Sequence, residues 1–386
     1  MRKIFKFALC AACVTVMFAC KNNGGSVTSD KEAALSRAMA PYVNNTVVAT
    51  YSSMADEGLV LLEKCQQILE AQEAGTDYSA LMAEADTAWR AMRKYWEQSE
   101  AFLYGPAAGH TIDPHIDSWP LDFNAMSALL NNEAQMKQIE EEGGAYVGDK
   151  LGYALKGFHA AEYLLFESEI VDGRAIGTGN THAANLTHAE AVYLVGIVED
   201  LTQQAILLEY CWAGDVSEAK MTLLEEAEVD IWEDNYGDQM INAGKPGSTY
   251  VSYQDAAEEI IAGCVDIADE VANTKMGNPY TAADPDYLES PYSCTSTIDF
   301  ADNIRSIQHA YCGAKSGDAS ISDYVKSQDA ELDAKVRKAI EEAIASIEAI
   351  VDFEHNATDA KVGAAIDKVN ELNDVLDDEV MALLAK

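Results

Sequence analysis

Two residues with metal-ligand chemistry stand three positions apart near the middle of the chain. His159 offers an imidazole nitrogen and Glu162 offers a carboxylate, and residues three apart lie on one face of a helix. Such a pair can hold a metal ion from a single helix, as Glu-x-x-His pairs do in helical metal sites. The same spacing also suits a buried hydrogen bond between the two side chains, so the pattern leaves both interpretations open.

The elements that must position these side chains are helices. Proline is scarce, with 8 residues in 386, and no run alternates in the manner of a half-buried strand. In the last third of the chain, apolar residues recur every three or four positions, which predicts one buried helix face: Leu332, Val336, Ile340, Ile344, Ile347 and Val351. A second stripe of this kind contains Trp89, Met92, Trp96 and Leu103. We therefore predict an all-α fold with little sheet.

The helical segments divide into two groups. Helices are predicted at 31–74, 123–141, 146–168, 186–212, 216–234, 254–273, 297–311 and 360–384. Long loops rich in glycine or proline separate several of them, and loops of this length are often functional; they are 104–120, 172–180, 242–252 and 277–292. A break at Trp212-Ala213-Gly214 predicts two packed helical bundles, an N-terminal one at 35–214 and a C-terminal one at 215–386.

The amino terminus predicts export. Three basic residues precede an uncharged apolar run, 7–19, which is shorter than the roughly 20 residues that span a bilayer and is typical of a secretory signal. Met17-Phe18-Ala19-Cys20 resembles a lipobox, in which Cys20 is lipidated; ordinary cleavage before an unmodified thiol is the alternative. Residues 20–34 then form a flexible tether. We expect a lipid-anchored protein on the periplasmic face of the outer membrane or on the cell surface.

The net charge limits the classes of molecule that the protein can bind, and the cysteine count limits the disulfides that it can form. The formal charge of −39 would repel nucleic acid and anionic lipid but permits metal ions. Apart from the signal and Cys20, five cysteines remain, and an odd number cannot all pair within one chain. We therefore expect no disulfide framework from Cys65, Cys211, Cys264, Cys294 and Cys312.

Several segments together resemble the imelysin-like family. Residues 157–162, Gly-Phe-His-Ala-Ala-Glu, look like its G-x-H-x-x-E signature. Residues 97–102 are similar to a family segment that precedes the signature, and 117–122 resemble its loop ending in Trp-Pro. Residues 289–293, Glu-Ser-Pro-Tyr-Ser, resemble a later E-S-x-x-S region. The segments occur in the family's order.

The resemblance implies a role in bacterial iron uptake and a site between the two halves. It implies a metal ion at His159 and Glu162, with ligand-binding residues on the same helix and on facing segments: Glu100, Trp119, Asp122, Gly157, Glu289, Ser290 and Ser293. Capping and turn formation are the alternative for the polar residues, and close packing is the alternative for Trp119 and Gly157. The expected cargo is iron or a haem-like ligand, and an outer-membrane iron transporter is an expected partner.

Two other functions stay open at this stage. The family has also been called a peptidase family, but a catalytic zinc usually needs three protein ligands and a base. No second histidine lies near the signature, so we assign no catalytic residue and keep a zinc metallopeptidase as the enzymatic alternative. The third interpretation is a structural or adhesive surface lipoprotein that holds no metal.

The lipidation of Cys20 is directly testable. Changing Cys20 to Ala should release the protein from the membrane fraction, because the acyl chain is the only membrane attachment that the sequence predicts. The measurement is the distribution between supernatant and pellet after cell fractionation, with Cys65→Ala as a matched control. Unchanged sedimentation of the Cys20→Ala variant would show that the protein is not anchored through this residue.

Overall fold

The computed structural model describes residues 30–171, 174–229, 231 and 235–386. The predicted signal and Cys20 lie outside the described residues, and the predicted tether is described only from Asp30, where the first helix begins. Helix accounts for 73% of the chain, which confirms the all-α prediction.

The first half of the chain builds one group of helices: α1 (Asp30–Pro41), α2 (Val48–Glu73), α3 (Ser79–Glu97), α4 (Pro106–Gly109), α5 (Ile112–Ile116), α6 (Phe123–Leu130), α7 (Glu133–Lys150), α8 (Gly157–Leu165) and α9 (His188–Ala213). Helix α2 packs against α3 and α9, and α7 also packs against α9. A π-helical turn, Tyr42–Val47, joins α1 to α2, and 3-10 turns at Glu100–Phe102 and Tyr153–Leu155 follow α3 and precede α8. Helix α9 is therefore the core of the first bundle.

The second half supplies the remaining helices: α10 (Glu218–Glu226), α11 (Tyr236–Ile241), α12 (Tyr253–Asp269), α13 (Gly277–Tyr280), α14 (Ser296–Cys312), α15 (Ile321–Gln328), α16 (Ala330–Glu348), α17 (Phe353–Asn356), α18 (Ala360–Asp374) and α19 (Ala382–Leu384). Helix α12 packs against α14 and α18, and α16 packs against the same two helices. These four form the second bundle. π-Helical turns at Glu270–Lys275 and Val375–Met381 extend α12 and α18.

Helix α1 packs against the second bundle, although it precedes the first in sequence. The Glu32 carboxylate accepts hydrogen bonds from the backbone N–H groups of Tyr253 and Gln254, at 2.9 and 3.1 Å. These N–H groups open α12 and have no partner within that helix, so a carboxylate there both caps them and meets the positive end of the helix dipole. The start of the described chain is thus fixed to the second bundle.

Three predicted helices are shorter in the structure. The segment 216–234 contains α10, which ends at Glu226. The segment 123–141 is broken at Asn131-Asn132, because Asn132 caps α7 by accepting a hydrogen bond from the N–H of Gln135. The segment 146–168 was predicted as one helix and this is wrong: it holds the end of α7, a turn, α8 and the start of a strand. Extended backbone at Gly152 and Lys156 separates the two helices.

A β-hairpin stands where a glycine-rich loop was predicted. Strand β1 (Phe166–Val171) pairs antiparallel with β2 (Arg174–Thr181). The N–H of Gly177 also donates to the carbonyl of Pro291 at 2.6 Å, and a Cβ at Gly177 would lie 1.8 Å from the carbonyl oxygen of Tyr292. Glycine is needed here because two backbones approach closely. The strand is therefore rich in glycine, a composition that is more typical of a loop.

The apolar stripe of α16 is confirmed except at its end. Leu332, Val336, Ile340 and Ile347 are buried, but Val351 is 71% exposed, because α16 ends at Glu348. Helix α9 is, among the described residues, the one helix long and apolar enough to cross a membrane, and 89% of its apolar window is buried inside the protein. Such burial is typical of the central helix of a bundle.

The start of α9 offers a test of the first bundle. The Thr187 hydroxyl accepts from the N–H of Glu190 at 3.2 Å, and the Glu190 carboxylate accepts from the N–H of Thr187 at 2.8 Å. Thr187→Ala should lower the free energy of unfolding by about 1 kcal/mol, the usual cost of losing such a cap. Denaturant unfolding measures it, with the exposed helical Thr222→Ala as control. Equal effects of the two substitutions would contradict a specific role for the cap.

Candidate functional site

A buried arginine lies at the centre of a polar cluster between the two bundles. Arg93 is 1% exposed. Its guanidinium contacts carboxylates from three separate segments: Glu97 at 2.6 Å, Glu289 at 3.0 Å, and Asp117. A guanidinium stays charged and presents its donors in a rigid fork, so each carboxylate is held at a fixed place around it.

Helix α3 presents Arg93 on its buried face. Trp89 and Trp96, four residues before and three after, share that face and are both fully buried. The guanidinium carbon lies 5.1 Å from the centre of the Phe158 ring, an arrangement in which the aromatic face attracts the cation. Burial opposes the charge of Arg93, but Asp117 and Glu97 outweigh that cost and raise its pKa well above the ordinary value.

Asp117 links the arginine to the histidine of the signature. Its carboxylate accepts from the guanidinium of Arg93, from the indole N–H of Trp96 at 2.7 Å and from Nε2 of His159 at 3.1 Å. Burial alone would raise the pKa of Asp117, but Arg93 and His159 outweigh burial and hold that pKa well below its usual range. Asp117 is therefore an ionised and fully engaged carboxylate.

Gly157 allows Asp117 to approach His159. It has a φ of +76°, and a Cβ built on it would lie 2.1 Å from the carbonyl oxygen of Ile116. The end of α5 thus rests directly on the first residue of α8. That contact places Asp117, the next residue after Ile116, beside His159.

His159 and Glu162 lie together, but they face different partners. His159 Nδ1 is 3.5 Å from Glu162 Oε2, at the outer limit of hydrogen bonding. The other carboxylate oxygen of Glu162 accepts from the backbone N–H groups of Tyr292 and Ser293, at 3.0 and 2.8 Å, and from the Ser293 hydroxyl at 2.7 Å. Glu162 is fully buried and fastens the loop 289–293 to α8.

A carboxylate faces each nitrogen of the His159 ring. Burial alone would lower its pKa, but the contacts with Asp117 and Glu162 outweigh burial and raise the pKa to about 9. The doubly protonated ring can donate toward a carboxylate on each side. It must lose a proton before it can bind a metal ion.

A small acidic cavity of about 270 Å³ opens beside this cluster. Five carboxylate side chains line it, together with His159, Trp119 and Lys275: Glu100, Asp113, Asp117, Glu270 and Glu289. Lys275 Nζ lies 3.0 Å from Glu289 and 3.5 Å from Glu100. The described lining of the cavity therefore contains more acidic than basic side chains.

Burial shapes the acidity of these carboxyl groups. It raises the pKa of Glu100 well above the ordinary value, although Lys275 pulls in the opposite direction. Burial, with the nearby charge of Asp117, raises the pKa of Asp113 to about 6, and burial likewise raises the pKa of Glu270. Crowded carboxyl groups in a site of low polarity are those that gain most from a bound cation.

Comparison with known proteins gives the family. The Imelysin family profile matches residues 47–378. The chain belongs to the Imelysin family.

Two relatives of this imelysin are named for iron. Iron-regulated protein A of Synechococcus elongatus is 28% identical over 309 residues, which cover 80% of this chain and 70% of that protein. A crystal structure described as an iron-regulated protein A precursor from Parabacteroides distasonis matches with a TM-score of 0.73 and 25% identity, over 94% of this chain and 97% of that one. An imelysin-like protein from Psychrobacter arcticum, at 11% identity, shares the fold, with a TM-score of 0.63 over 92% and 96% of the two chains.

Some residues of the imelysin signature and its companion segments line the cavity, and others hold the neighbouring segments in place. His159, Trp119, Glu100 and Glu289 line the cavity. The others lie behind it or away from it. Ser293 bonds to Glu162, and Ser290 donates to the buried Asp299. Asp122 caps α6 by accepting from the N–H of Ala125 at 2.9 Å and is exposed.

Sequence reasoning does not single out Arg93, Lys275 or Glu270. One signal for Arg93 is available, because a charged residue on the same helix face as Trp89 and Trp96 must be buried with partners. Lys275 and Glu270 give no such signal. They meet the site through a π-helical turn that the periodicity of α12 does not reveal.

Gly157 provides a test of how this imelysin builds its site. Gly157→Ala should lower the free energy of unfolding by at least about 1–3 kcal/mol, the typical cost of a strained backbone conformation, with the overlap on Ile116 added to it. The matched control is Gly152→Ala, because Gly152 has a negative φ and a Cβ added there would meet no described atom within 4 Å. Similar unfolding curves for both variants would contradict the close approach.

Proposed function

We propose that the protein binds iron as an ion in the acidic cavity and serves bacterial iron uptake as an exported lipoprotein. The observation that carries this proposal is the lining of the cavity, where five carboxylates and one imidazole surround a space of about 270 Å³. Carboxylate oxygens with an imidazole nitrogen are donors that suit iron, and the His159 nitrogen becomes such a donor once the ring has lost its second proton. The names of two relatives, which refer to iron regulation, agree with this cargo.

The donor atoms are close enough to share one ion. One carboxylate oxygen from each of Glu97, Glu100 and Asp117 lies within 4.8 Å of the others. Of the three, Glu100 is the least committed: its ion-pair partner is Lys275 at 3.5 Å, and it lines the cavity. Asp117 and Glu97 are each held by Arg93. Of these three carboxylates, Glu100 is therefore the one most available to a cation.

The polarity of the cavity favours an ion over haem. Sites for organic ligands and cofactors are mostly apolar. This cavity is lined mainly by charged side chains, and Trp119, Leu103 and Tyr287 are the large apolar or aromatic side chains among its described lining residues. Its carboxylates would also repel the propionate groups of haem.

The metallopeptidase alternative has less support from the same residues. A catalytic zinc commonly relies on two or three histidines, or on histidines with cysteine or glutamate, and keeps a water position open. His159 is the one histidine among the described residues that line the cavity, and both of its nitrogens face carboxylates. Binding and delivery of a cation, in contrast, need no further histidine and no catalytic base. An outer-membrane iron transporter is the partner that we propose for delivery.

Iron titration tests the proposal. The wild type should bind one iron per chain, both as Fe²⁺ without oxygen and as Fe³⁺ supplied as its nitrilotriacetate complex, and chelation should remove it. Glu100→Gln should weaken binding by about tenfold or more, since a charged ligand worth at least about 1.4 kcal/mol is lost. Calorimetry and metal analysis give the affinity and the stoichiometry.

The control variant is Glu258→Gln, which removes the same charge from α12 at a residue that pairs with Gln254 outside the cavity. Equal affinity in the wild type and Glu100→Gln would show that the cavity is not the iron site. Haem that binds more tightly than ionic iron, measured by absorbance, would contradict the choice of cargo.

A further inference from the structure

The cavity already holds a cation of its own. Lys275 is 4% exposed, and it is the one lysine or arginine among the described residues that line the cavity. Its ammonium nitrogen lies 3.0 Å from Glu289, 3.5 Å from Glu100 and 3.9 Å from Glu97. The ammonium therefore contacts Glu97 and Glu100, two of the three carboxylates that an iron ion would share.

Three carboxylates lie within 3.9 Å of the Lys275 ammonium, and opposite charges this close favour the charged form. A metal ion and this ammonium would repel each other strongly at such separations in a buried site. An ion shared by Glu97, Glu100 and Asp117 would therefore compete with the ammonium for Glu97 and Glu100.

The backbone at Lys275 brings two opposite charges to the cavity from one segment. Glu270 and Lys275 are the first and last residues of a π-helical turn, and the N–H of Met276 bonds to the carbonyl of Val271 five residues earlier at 3.0 Å. Such wide turns are rare and are frequent at functional sites. Here the turn lets residues five apart line one cavity.

Arg93 and Lys275 differ in how firmly they are held. The Arg93 guanidinium is bound by Glu97, Asp117 and Glu289 at once and stacks on Phe158. Lys275 has a flexible four-carbon stem and a point charge with no fixed geometry. The guanidinium is therefore fixed in the cluster by several partners at once, whereas the lysine ammonium is held by ion pairs alone at the end of a rotatable stem.

We propose that Lys275 is a displaceable counter-ion, which an incoming iron cation must displace from Glu97 and Glu100 in order to bind. The proposal rests on iron binding in this cavity, as argued above. It gives Lys275 a role in selectivity as well as in stability. A sodium or potassium ion carries the same charge as the ammonium and gains nothing by replacing it, whereas a divalent or trivalent ion gains Coulomb energy from every carboxylate.

The test compares iron affinity in variants of two buried lysines. Lys275→Met removes the competing charge and keeps most of the side-chain volume, so we expect Fe²⁺ to bind at least about tenfold more tightly than to the wild type. The metal-free variant should also unfold at a lower temperature, because the carboxylates lose their counter-ion. Anaerobic calorimetry and thermal unfolding with and without Fe²⁺ give both quantities.

The matched control is Lys220→Met. Lys220 is also buried and pairs with Glu209 at 2.7 Å and Asp56 at 2.6 Å, but it does not line the cavity. This control should lose stability and keep the wild-type affinity for Fe²⁺. If the wild type binds iron and Lys275→Met binds it equally or less tightly, the displacement proposal is wrong and the iron site stands. If the wild type binds no iron, both proposals fail.

A second measurement uses the wild type and does not depend on the folding of a variant. Acylation of lysines by an amine-reactive ester, followed by mass spectrometry, reports how accessible each ammonium is. Iron should increase the labelling of Lys275, because the displaced side chain must move toward solvent, and should leave Lys220 unchanged. Saturating iron with no rise in labelling at Lys275 would also overturn the proposal.

Discussion

The burial of one guanidinium governs the structure around it. A charge as deeply buried as that of Arg93 is stable only when carboxylates and hydrogen bonds surround it. Those carboxylates come from α3, from the end of α5 and from the loop that precedes α14. Because these segments belong to different parts of the chain, satisfying the arginine brings both bundles to the same point. The cavity is what remains beside that point, lined by carboxylates that the arginine does not fully neutralise.

The residues of the family signature have two roles: some line the cavity, and others hold neighbouring segments in position. Gly157 permits contact with α5, His159 lies between Asp117 and Glu162, and Glu162 holds the loop 289–293 through three hydrogen bonds. The loop in turn presents Glu289 to the cavity. The motif therefore positions carboxylates that come from other segments and also places His159 in the lining of the cavity.

Local pattern predicted the helices well and the site only in part. The helix α16 follows from the spacing of its apolar residues because it buries one face. The helix α9 follows from its long apolar run because it buries nearly all of its surface. The hairpin was missed because Gly177 and Gly179 serve close backbone contact, which sequence cannot distinguish from a loop. Arg93 lies 24 residues from Asp117 and 196 from Glu289, and no periodicity within a helix encodes such distant partners. Resemblance to a family supplied Glu100 and Glu289, but it could not indicate which residues line the cavity.

The packing of α1 on the second bundle also determines where the two described ends of the chain lie. The Lys31 ammonium donates to the carbonyl oxygen of Leu384, so the first helical residues and the last ones are neighbours in space. A fluorescent protein or affinity tag fused after Lys386 would therefore sit beside the point where the chain enters the fold. A short linker could therefore join Asp30 to the last helical residues across a small gap, which is the geometry that circular permutation requires.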